Sequence, residues 1–338
     1  MPTILVTGGC GYIGSHTIVD LIQHGFHVIS VDDHSRSDPS ILAGIERITG
    51  VSVRNYAVDM KNHAALDRVF SENVVEGVIH FAAYKSVVES VSEPLLYYEN
   101  NLASLTNLLR CVEKHAVTQI VFSSSCTVYG SPDAYPVTEQ TALNPPNCPY
   151  GATKQMGEQI LSDFVLRPGN KQQICILRYF NPAGAHPSLE IGELPCGGVQ
   201  SLTPAIMAIA SGRRSGPLRV FGSDYNTRDG TCIRDFIHVC DIAHAHTRAL
   251  LYMSRGGKTR SVFNLGAGSG VTVLEAIAAF EQESGRRLDH RMAERRPGDV
   301  EAIFADNTYA CKELDWTVKY TIRDIMRSAW QFEQKQSV

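Results

Sequence analysis

A tyrosine and a lysine four residues apart are the residues in this sequence whose types and spacing best suit acid–base chemistry. Tyr150 and Lys154 follow Pro149, which suits the first turn of a helix, and the spacing puts both side chains on one face. A phenol titrates near pH ~10, but a nearby ammonium favours the phenolate. Ser125 ends an apolar run upstream, where its hydroxyl could orient a substrate hydroxyl. The pattern predicts catalytic roles for Ser125, Tyr150 and Lys154, although a tyrosine and a lysine on a surface could share the spacing.

A glycine-rich loop near the start of the chain indicates a bound dinucleotide. Gly8, Gly11 and Gly14 lie between an apolar run and a helical pattern, and Gly9 could replace Gly8 in the motif. Such glycines allow a tight turn, close approach of a pyrophosphate and close packing of the helix on the strand. The N-terminus of the helix offers N–H groups and partial positive charge to the phosphates. The loop therefore predicts a phosphate cradle.

The residue after the second apolar run indicates which dinucleotide binds. Asp32 lies 18 residues after Gly14, where a carboxylate accepts hydrogen bonds from the adenosine ribose and repels a 2′-phosphate. This favours NAD over NADP. Asp33 is the alternative ribose acceptor, and Arg36 leaves NADP open.

A bound NAD would also act on the tyrosine. The positive nicotinamide ring and the Lys154 ammonium would together lower the pKa of Tyr150 toward neutral pH. Lys154 could hold the nicotinamide ribose at the same time.

Composition and charge favour a globular protein and disfavour nucleic-acid-binding and membrane proteins. The chain has 338 residues, 43% of them hydrophobic and 20% charged, which is typical of a globular protein of two domains or of one large α/β unit with an appendage. The net charge of −4 disfavours general nucleic-acid binding. We expect no membrane association, because no apolar run approaches ~18 residues and the N-terminus lacks a signal peptide. Nine cysteines without a Cys-x-x-Cys pair favour free thiols and a cytoplasmic enzyme.

Short apolar runs alternate with helical patterns through the first half of the chain. The predicted strands are Ile4–Val6, Val28–Val31, Val51–Val53, Gly77–His80, Ile120–Phe122 and Ile174–Leu177. The predicted helices are Ile13–His24, Ile41–Ile48, Ala64–Phe70, Leu95–Lys114 and Lys154–Leu166. This alternation predicts an α/β fold with a doubly wound parallel (Rossmann) sheet, whose ligands bind at the carboxyl ends of the strands.

The second half of the chain is less regular and predicts a smaller C-terminal α/β substrate domain. Asn181–Gly198 has the composition of a loop. Helices are predicted at Pro204–Gly212, Asp241–Met253 and Leu274–Ser284, and strands at Leu218–Phe221 and Val262–Leu265. We therefore expect residues 1–181 to bind NAD, with about 230–268 returning to that domain, and residues 182–338 to bind the second substrate.

Seven stretches together make the chain resemble the extended short-chain dehydrogenase/reductase family, from residue 3 to about residue 330. They are Val6–His16, His80–Lys85, Tyr97–Asn101, Phe122–Gly130, Arg178–Pro182, Arg234–Val239 and Asn264–Gly266. Within that family the chain is similar to the sugar-nucleotide 4-epimerases. The resemblance implies NAD-dependent interconversion of UDP-glucose and UDP-galactose by C4 oxidation, rotation of the 4-keto sugar and re-reduction. It also implies a homodimer formed through the helices at 95–114 and 154–166.

The same resemblance assigns residues to two ligands. For NAD these are Gly8, Gly11, Tyr12, Ile13, Gly14, Asp32, Asp59, Met60, Phe81, Ala82, Lys85, Asn100, Tyr150, Lys154 and Phe180. For the UDP-hexose they are Ser125, Tyr150, Asn181, Ser201, Leu202, Phe221, Arg234, Arg296, Asp299 and Ile303. The forked donors of two arginines also suit a diphosphate.

Two of these positions have open interpretations. Ser201 stands in Gln200-Ser201-Leu202, where the family usually has an asparagine pair before leucine, so its diphosphate contact is uncertain. Ile303 lines the sugar pocket by position in the family, but it could equally pack in the core. If it faces the sugar, it restricts N-acetylated substrates.

Other chemistries fit the sequence less well. Sugar-nucleotide 4,6-dehydratases resemble this chain but carry an Asp-Glu pair where Cys126-Thr127 stands. UDP-N-acetylhexosamine, UDP-glucuronate and UDP-pentose epimerases stay open, as does a non-catalytic NAD-binding regulator. The histidines and acids of 238–246 do not form a metal-ligand pattern, so we expect no metal.

Overall fold

A computed structural model of the protein describes residues 1–194, 201–296 and 299–336. Its strands are β1 Thr3–Thr7, β2 His27–Val31, β3 Asn55–Tyr56, β4 Gly77–His80, β5 Gln119–Ser125, β6 Gln173–Tyr179, β7 Asn181–Ala183, β8 Leu218–Phe221, β9 Ile233–Arg234, β10 Phe236–His238, β11 Arg260–Leu265, β12 Val271–Thr272, β13 His290–Ala293 and β14 Ala302–Ile303. Its α-helices are α1 Tyr12–Gln23, α2 Ile41–Thr49, α3 His63–Glu72, α4 Val87–Ser92, α5 Pro94–Lys114, α6 Pro149–Leu166, α7 Leu202–Ala210, α8 Val239–Ser254, α9 Val273–Ser284, α10 Thr308–Leu314 and α11 Ile322–Gln336.

Seven of the strands form one parallel sheet in the order β11-β6-β5-β4-β1-β2-β3. Its strands are rich in Val and Ile and are buried on both faces, as expected when helices cover each side. One core lies under α1, α2, α8 and α10, and the other lies under α3, α5 and α6. The strand order reverses between β1 and β4, which is where such folds bind ligands. The doubly wound α/β fold is confirmed.

Much of the chain after β6 forms small sheets instead of extending the large one. β7 pairs with β10, β9 lies between β12 and β14, and β8 pairs with β13. Helices α7, α9 and α11 pack around a third core that includes Phe280 and Trp330. β11 lies at the edge of the large sheet, in register with β6.

Several element boundaries differ from those predicted. The third strand is not Val51–Val53 but Asn55–Tyr56, because pairing to β2 begins at Asn55 while Val53 only contributes a buried side chain. α6 begins five residues early, at Pro149, because the Cys148 thiol caps it by accepting the Gly151 N–H at 3.4 Å. The first three residues of the predicted loop Asn181–Gly198 form β7, and residues 195–198 lie outside the described residues.

Candidate active site

The catalytic residues predicted from the sequence meet at the carboxyl end of β5. Ser125 is the last residue of that strand, and Tyr150 and Lys154 lie on the first turns of α6. Ser125 acts on the Tyr150 hydroxyl and favours its ionised form. The Lys154 Nζ lies 5.8 Å from the centre of the Tyr150 ring and donates a 2.7 Å hydrogen bond to the carbonyl oxygen of Ser123. The structure therefore brings the three groups together.

The expected lowering of the Tyr150 pKa depends on Lys154 and on a bound nicotinamide ring, and the protein without ligand supplies only the first of these. Burial raises the pKa of Tyr150, and only Ser125 opposes that rise appreciably. Burial also lowers the pKa of Lys154 to about 8, against the opposing influence of Glu158. The protein alone therefore does not lower the pKa of Tyr150 toward neutral pH. A further positive charge beside the phenol, such as the nicotinamide ring would provide, is needed for that.

The glycine loop between β1 and α1 fits a pyrophosphate. Gly8 has a φ of +69° and faces β4 so closely that a Cβ there would lie 2.8 Å from the backbone nitrogen of Ala82. A Cβ on Gly14 would collide with the Gly8 carbonyl oxygen. Gly11 caps α1 without a side chain, so the first N–H groups of the helix stay open to an anion. Tyr12 and Ile13 begin that helix.

The end of β2 supports the preference for NAD. Asp32 is buried and accepts hydrogen bonds from the Cys10 and His34 N–H groups, each at 3.0 Å. Its carboxylate therefore lies against the glycine loop. Asp33 instead accepts a hydrogen bond from the N–H of Ser35 in an exposed turn. Arg36 donates a 2.7 Å hydrogen bond to Glu89 and lies over the ring of Tyr84, so its guanidinium is already engaged.

The remaining predicted NAD residues lie on the loops that follow β3, β4 and β6 and on α5. Phe81 and Ala82 follow β4 beside the glycine loop. Lys85 pairs with Glu193 at 3.4 Å, and Asn100 donates to Asn101. Phe180 is buried directly after β6, Met60 is buried after β3, and Asp59 is exposed beside it.

Two arginines, an aspartate and an aromatic ring form a second polar cluster. Arg296 binds Asp299 through its Nε at 2.9 Å and lies 4.6 Å from the centre of the Phe221 ring. Arg234 lies 3.5 Å from the same carboxylate and donates to the Val300 carbonyl oxygen. The two guanidinium groups thus share one carboxylate, which leaves donors and net positive charge for an anionic ligand. This arrangement suits a diphosphate.

The other predicted substrate residues lie on nearby loops and strands. The Asn181 side-chain oxygen is buried with no hydrogen-bond partner among the described residues, which a ligand donor would satisfy. Ile303 is buried in a small cluster with Cys126 and Phe180. Ser201 and Leu202 lie at the start of α7, and the Ser201 side chain makes no capping hydrogen bond there. Gln200 lies outside the described residues.

Sequence reasoning missed a buried polar network behind the catalytic strand. Glu158 receives both arms of the Arg178 guanidinium, at 2.9 Å and 2.7 Å, and the Ser124 hydroxyl. Arg178 also donates to Tyr129, which bonds to Asn264. The signal was available, because Glu158 follows Lys154 by four residues and so lies on the same helix face.

A cluster with metal-ligand residue types joins α1 and α8, formed by Asp20, His24 and His244. Each imidazole lies 3.3 Å from the Asp20 carboxylate, which also accepts a hydrogen bond from Thr247. The candidate ligand atoms lie within 4.8 Å of one another, and the two 3.3 Å contacts equally fit pairing of each imidazole with the carboxylate. We interpret the cluster as an ion-paired helix contact, and the expectation of no metal stays a prediction.

Comparisons with known proteins agree with this geometry. A family model described as GDP-mannose 4,6 dehydratase matches residues 5–329. UDP-glucose 4-epimerase 1 of Oryza sativa subsp. japonica is 46% identical over 99% of this chain and 95% of its own length. UDP-glucose 4-epimerase of Bacillus subtilis (strain 168) is also 46% identical, over 98% of this chain and 96% of its own.

Solved structures are similar over the whole chain. The UDP-glucose 4-epimerase of Bifidobacterium longum, solved with NAD+ and UDP, is 44% identical and covers 99% of each chain with a TM-score of 0.94. The enzyme of Stenotrophomonas maltophila, solved with NAD and formylated UDP-arabinopyranose, is 42% identical over 100% of this chain and 99% of its own, with a TM-score of 0.96. The chain therefore belongs to the family that the GDP-mannose 4,6 dehydratase model describes and, within it, to the UDP-glucose 4-epimerases.

Proposed function

We propose that this protein interconverts UDP-glucose and UDP-galactose, using an NAD that stays bound through the cycle. The observation that carries the proposal is the contact of Tyr150 with Ser125 beside Lys154, at the strand ends that face the glycine loop. Similar enzymes solved with NAD and with UDP support both ligands.

The residues of this chain would handle the proton and hold the sugar. When bound, NAD supplies the redox chemistry by taking hydride from C4 of the sugar and returning it. Tyr150 removes the proton of the 4-hydroxyl and later returns it, while Ser125 orients that hydroxyl. Lys154 contributes positive charge beside the phenol and a donor for the nicotinamide ribose. The protein thus provides position and proton transfer.

Substrate binding must be tight at the nucleotide and loose at the sugar, because the 4-keto sugar has to rotate. We assign the diphosphate to Arg234 and Arg296, whose shared partner Asp299 orients them. Asn181 would satisfy its unpaired oxygen on a ligand donor. Phe221 and Leu202 would border the nucleotide. Ile303 would border the sugar, and Ser201 would border the diphosphate. We place the NAD site in residues 1–181 together with about 230–268, since β11 extends the large sheet, and the sugar-nucleotide site in the rest of 182–338.

Dehydration at C5 and C6, the activity named by the family model, needs an acid after the strand-end serine. Cys126 and Thr127 occupy those positions. Burial raises the pKa of the Cys126 thiol to about 12, so it offers no proton transfer at neutral pH. Among the activities of this family, the site therefore favours epimerisation.

We also propose a homodimer formed through the face of α4, α5 and α6. Large apolar side chains are exposed there: Val87, Val88, Val91, Leu95, Met156 and Leu166. Several exposed large apolar side chains on neighbouring helices are typical of a protein interface. Light scattering should give a mass of about twice the 37.1 kDa of one chain. Met156→Arg should lower the measured mass toward that of one chain. Val74→Arg is the control, because Val74 is exposed outside these helices, and it should leave the mass unchanged.

The described part of the chain contains no helix with the length and apolar character required to cross a bilayer. Among the described residues the free cysteines are Cys10, Cys111, Cys126, Cys148, Cys175, Cys232, Cys240 and Cys311. Free thiols suit a reducing compartment, which supports our proposal of a cytoplasmic location.

The test is incubation of the purified protein with a panel of UDP-sugars, scored by NMR for C4 epimers. We expect UDP-glucose and UDP-galactose to reach the same equilibrium mixture from either side. The panel includes UDP-glucuronate, a UDP-pentose and the N-acetylhexosamines. Turnover of one of these without turnover of UDP-galactose would reassign the substrate, and no turnover of any would favour a non-catalytic NAD-binding role.

A further inference from the structure

Glu158 is a buried acid for which the proposed reaction has no direct use. It lies one helical turn after Lys154 on α6, and both side chains are almost fully buried, with 3% and 4% of their surface exposed. A carboxylate is rarely buried without a reason, because removing its charge from water is costly unless other groups compensate.

Two residues on neighbouring strands hold this carboxylate. Arg178 on β6 binds both of its oxygens, and Ser124 on β5 donates a hydroxyl to one of them. Arg178 is itself fixed by Tyr129, whose hydroxyl donates to Asn264 on β11 at 2.6 Å. The Glu158 carboxylate is therefore held by two strands next to the one helix that carries Tyr150 and Lys154.

The charges explain why the carboxylate is needed there. Lys154 and Arg178 are both buried cations, and Glu158 follows Lys154 by one turn of α6 while its carboxylate binds Arg178. Its charge favours the ammonium form of Lys154 and opposes the burial that lowers the lysine pKa to about 8. Arg178 alone would favour the neutral amine.

We propose that Glu158 is a positioning residue that keeps Lys154 charged beside Tyr150, and that Arg178 and Ser124 fix its carboxylate for that role. The inference rests on the proposed part of Lys154 in the epimerase reaction. The contacts of Glu158 fix where its carboxylate lies, and its negative charge then favours the ammonium form of Lys154.

Other titratable groups surround the same lysine and must be distinguished from Glu158. His80 on β4 is buried against Phe122 and bonds to Thr7, and burial lowers its pKa to about 3, so it is neutral. Tyr179 on β6 bonds to His246 of α8 and to Ser123, and burial raises its pKa. Around Tyr150 lie Tyr97 of α5, Cys126 and Cys148, whose charged forms would raise the pKa of the phenol. Glu158 is thus the acidic group whose charge opposes the effect of burial on the Lys154 pKa.

The experiment compares the pH dependence of kcat in the NAD-loaded wild-type protein and in Glu158→Gln. Removing the carboxylate lowers the pKa of Lys154, so the ammonium is lost at a lower pH as the pH rises. We expect the alkaline limb of the profile to move down by about one pH unit, in the range seen for a neighbouring opposite charge. Near the acid end, where Lys154 is charged in both proteins, we expect the loss of kcat to be smallest.

A second variant covers the case in which the single one does not fold. Glu158→Gln leaves Arg178 buried without its partner, whereas Glu158→Gln with Arg178→Gln removes both charges and keeps side chains that hydrogen-bond. We expect its alkaline limb to lie between those of the wild type and the single variant. Glu333→Gln is the matched control, because Glu333 on α11 also receives two arms of an arginine, Arg213, and its variant should keep the wild-type limb.

A direct readout separates this inference from the proposed function. With lysine labelled by 13C at the ε-carbon, NMR follows the titration of Lys154, assigned by loss of its signal in Lys154→Arg. A lower midpoint in the Glu158 variants supports the inference even if the wild-type protein turns over no UDP-sugar, a result that would remove only the epimerase proposal. An unchanged midpoint, with kcat lowered equally at every pH, would show that Glu158 serves folding alone and overturn the inference.

Discussion

Tyr150 is a half-buried phenol with few charges around it. Its pKa is raised by burial, and Ser125 opposes that rise. Lys154, a cation on the same helix face, donates one hydrogen bond to the Ser123 carbonyl oxygen. A raised phenol pKa in the absence of ligand keeps the proton on Tyr150 until a positive charge and a substrate hydroxyl arrive together. Proton removal is then coupled to the presence of both ligands.

The first prediction concerns that hydroxyl. Tyr150→Phe removes the proton acceptor but keeps the ring and its packing, so we expect kcat to fall by ~10²–10⁴, the usual contribution of a positioned acid–base group. Bound NAD, measured after release by denaturation, should stay at the wild-type level. Tyr309→Phe, which removes a phenol hydroxyl that bonds to Lys258, is the control and should keep full activity. Near-normal turnover in Tyr150→Phe would exclude Tyr150 as the acid–base group.

The second prediction concerns the choice of dinucleotide at Asp32. Asp32→Ala removes the carboxylate at the end of β2, so the affinity for NAD should fall and the preference over NADP should shrink. The gain for NADP should be limited, because Arg36 stays bound to Glu89. Equilibrium binding of both dinucleotides to protein stripped of cofactor measures this, with Asp33→Ala for comparison. If Asp33→Ala has the larger effect, the ribose contact belongs to Asp33.

The third prediction concerns the size of the sugar pocket at Ile303. Its side chain packs with Phe180 and Cys126, which lie next to the predicted cofactor and catalytic positions, so it forms a wall of that region. A branched apolar side chain leaves little room and no hydrogen bond for a 2-acetamido group. We expect the wild-type protein to turn over N-acetylated sugars poorly. Ile303→Ser should raise kcat/KM for UDP-N-acetylglucosamine and change that for UDP-glucose less.

Efficient turnover of the N-acetylated sugars by the wild-type protein would contradict this role of Ile303. Ala305→Ser is a suitable control, because Ala305 is buried in the same cluster. A change there of equal size would show that any added hydroxyl loosens the pocket.

Single residues differed in how far the sequence predicted them. The glycine loop, Asp32 and the Tyr–Lys pair were found because local spacing fixes their geometry on a turn or on one helix face. The pairing of Asp299 with both Arg234 and Arg296 could not be derived, because it depends on how two distant loops fold onto one another. The expected lowering of the Tyr150 pKa includes the charge of the nicotinamide ring and stays a prediction, since without that charge burial raises the pKa.

At the scale of elements, the position of α6 on β5 determines whether the catalytic groups meet. Gly157 lets the helix approach the strand, since a Cβ there would lie 2.9 Å from the Cζ atom of Phe122. The Phe122 ring in turn lies 5.0 Å from the Lys154 ammonium, and His80 stacks against it. The ring is enclosed on several sides, so it cannot readily give way to an added methyl group.

The fourth prediction tests this close contact. Gly157→Ala gains about 1 kcal/mol of helix propensity, but overpacking against an enclosed ring costs typically 1–3 kcal/mol. We expect a net loss of stability in urea denaturation and a lower kcat, because α6 must shift away from β5 with Lys154. Gln282→Ala, at an exposed position of α9, should leave both unchanged. Increased stability in Gly157→Ala would show that the helix has room to spare.

Elements were predictable where their periodicity is strong and poorly so where pairing is short. The strands β1, β2, β4, β5 and β6 carry runs of Val and Ile, and the sequence placed each of them. The two-residue strands β9, β12 and β14 have no periodic signal, because one or two backbone pairs define them. The helix α11 was missed although Ile325, Met326, Ala329 and Trp330 recur at helical spacing and are buried. That signal was present in the sequence.

At the scale of the whole molecule, we propose that the cofactor lies on the large sheet and the sugar nucleotide on the small sheets. The glycine loop belongs to the large sheet, and Arg234 and Asp299 belong to the small sheets that follow β6. β11 and α8 return from the second half of the chain and pack against β6 and α1. The chain therefore passes between the two regions more than once, which favours a fixed arrangement over loosely hinged domains. Because each region interrupts the other in sequence, this arrangement could be predicted only in outline.

The last prediction follows from that arrangement and concerns the cofactor. Hydride taken from C4 must return to the same sugar, so the cofactor should stay bound while the sugar rotates. We expect the purified protein to carry NAD in near-stoichiometric amount, and UDP-galactose turnover to release no net NADH to solution. Mass spectrometry of the denatured protein measures the first, and absorbance of the ultrafiltrate after many turnovers measures the second. One NADH released per turnover would identify a dehydrogenase, and the Tyr150–Lys154 site would then oxidise its substrate without returning the hydride.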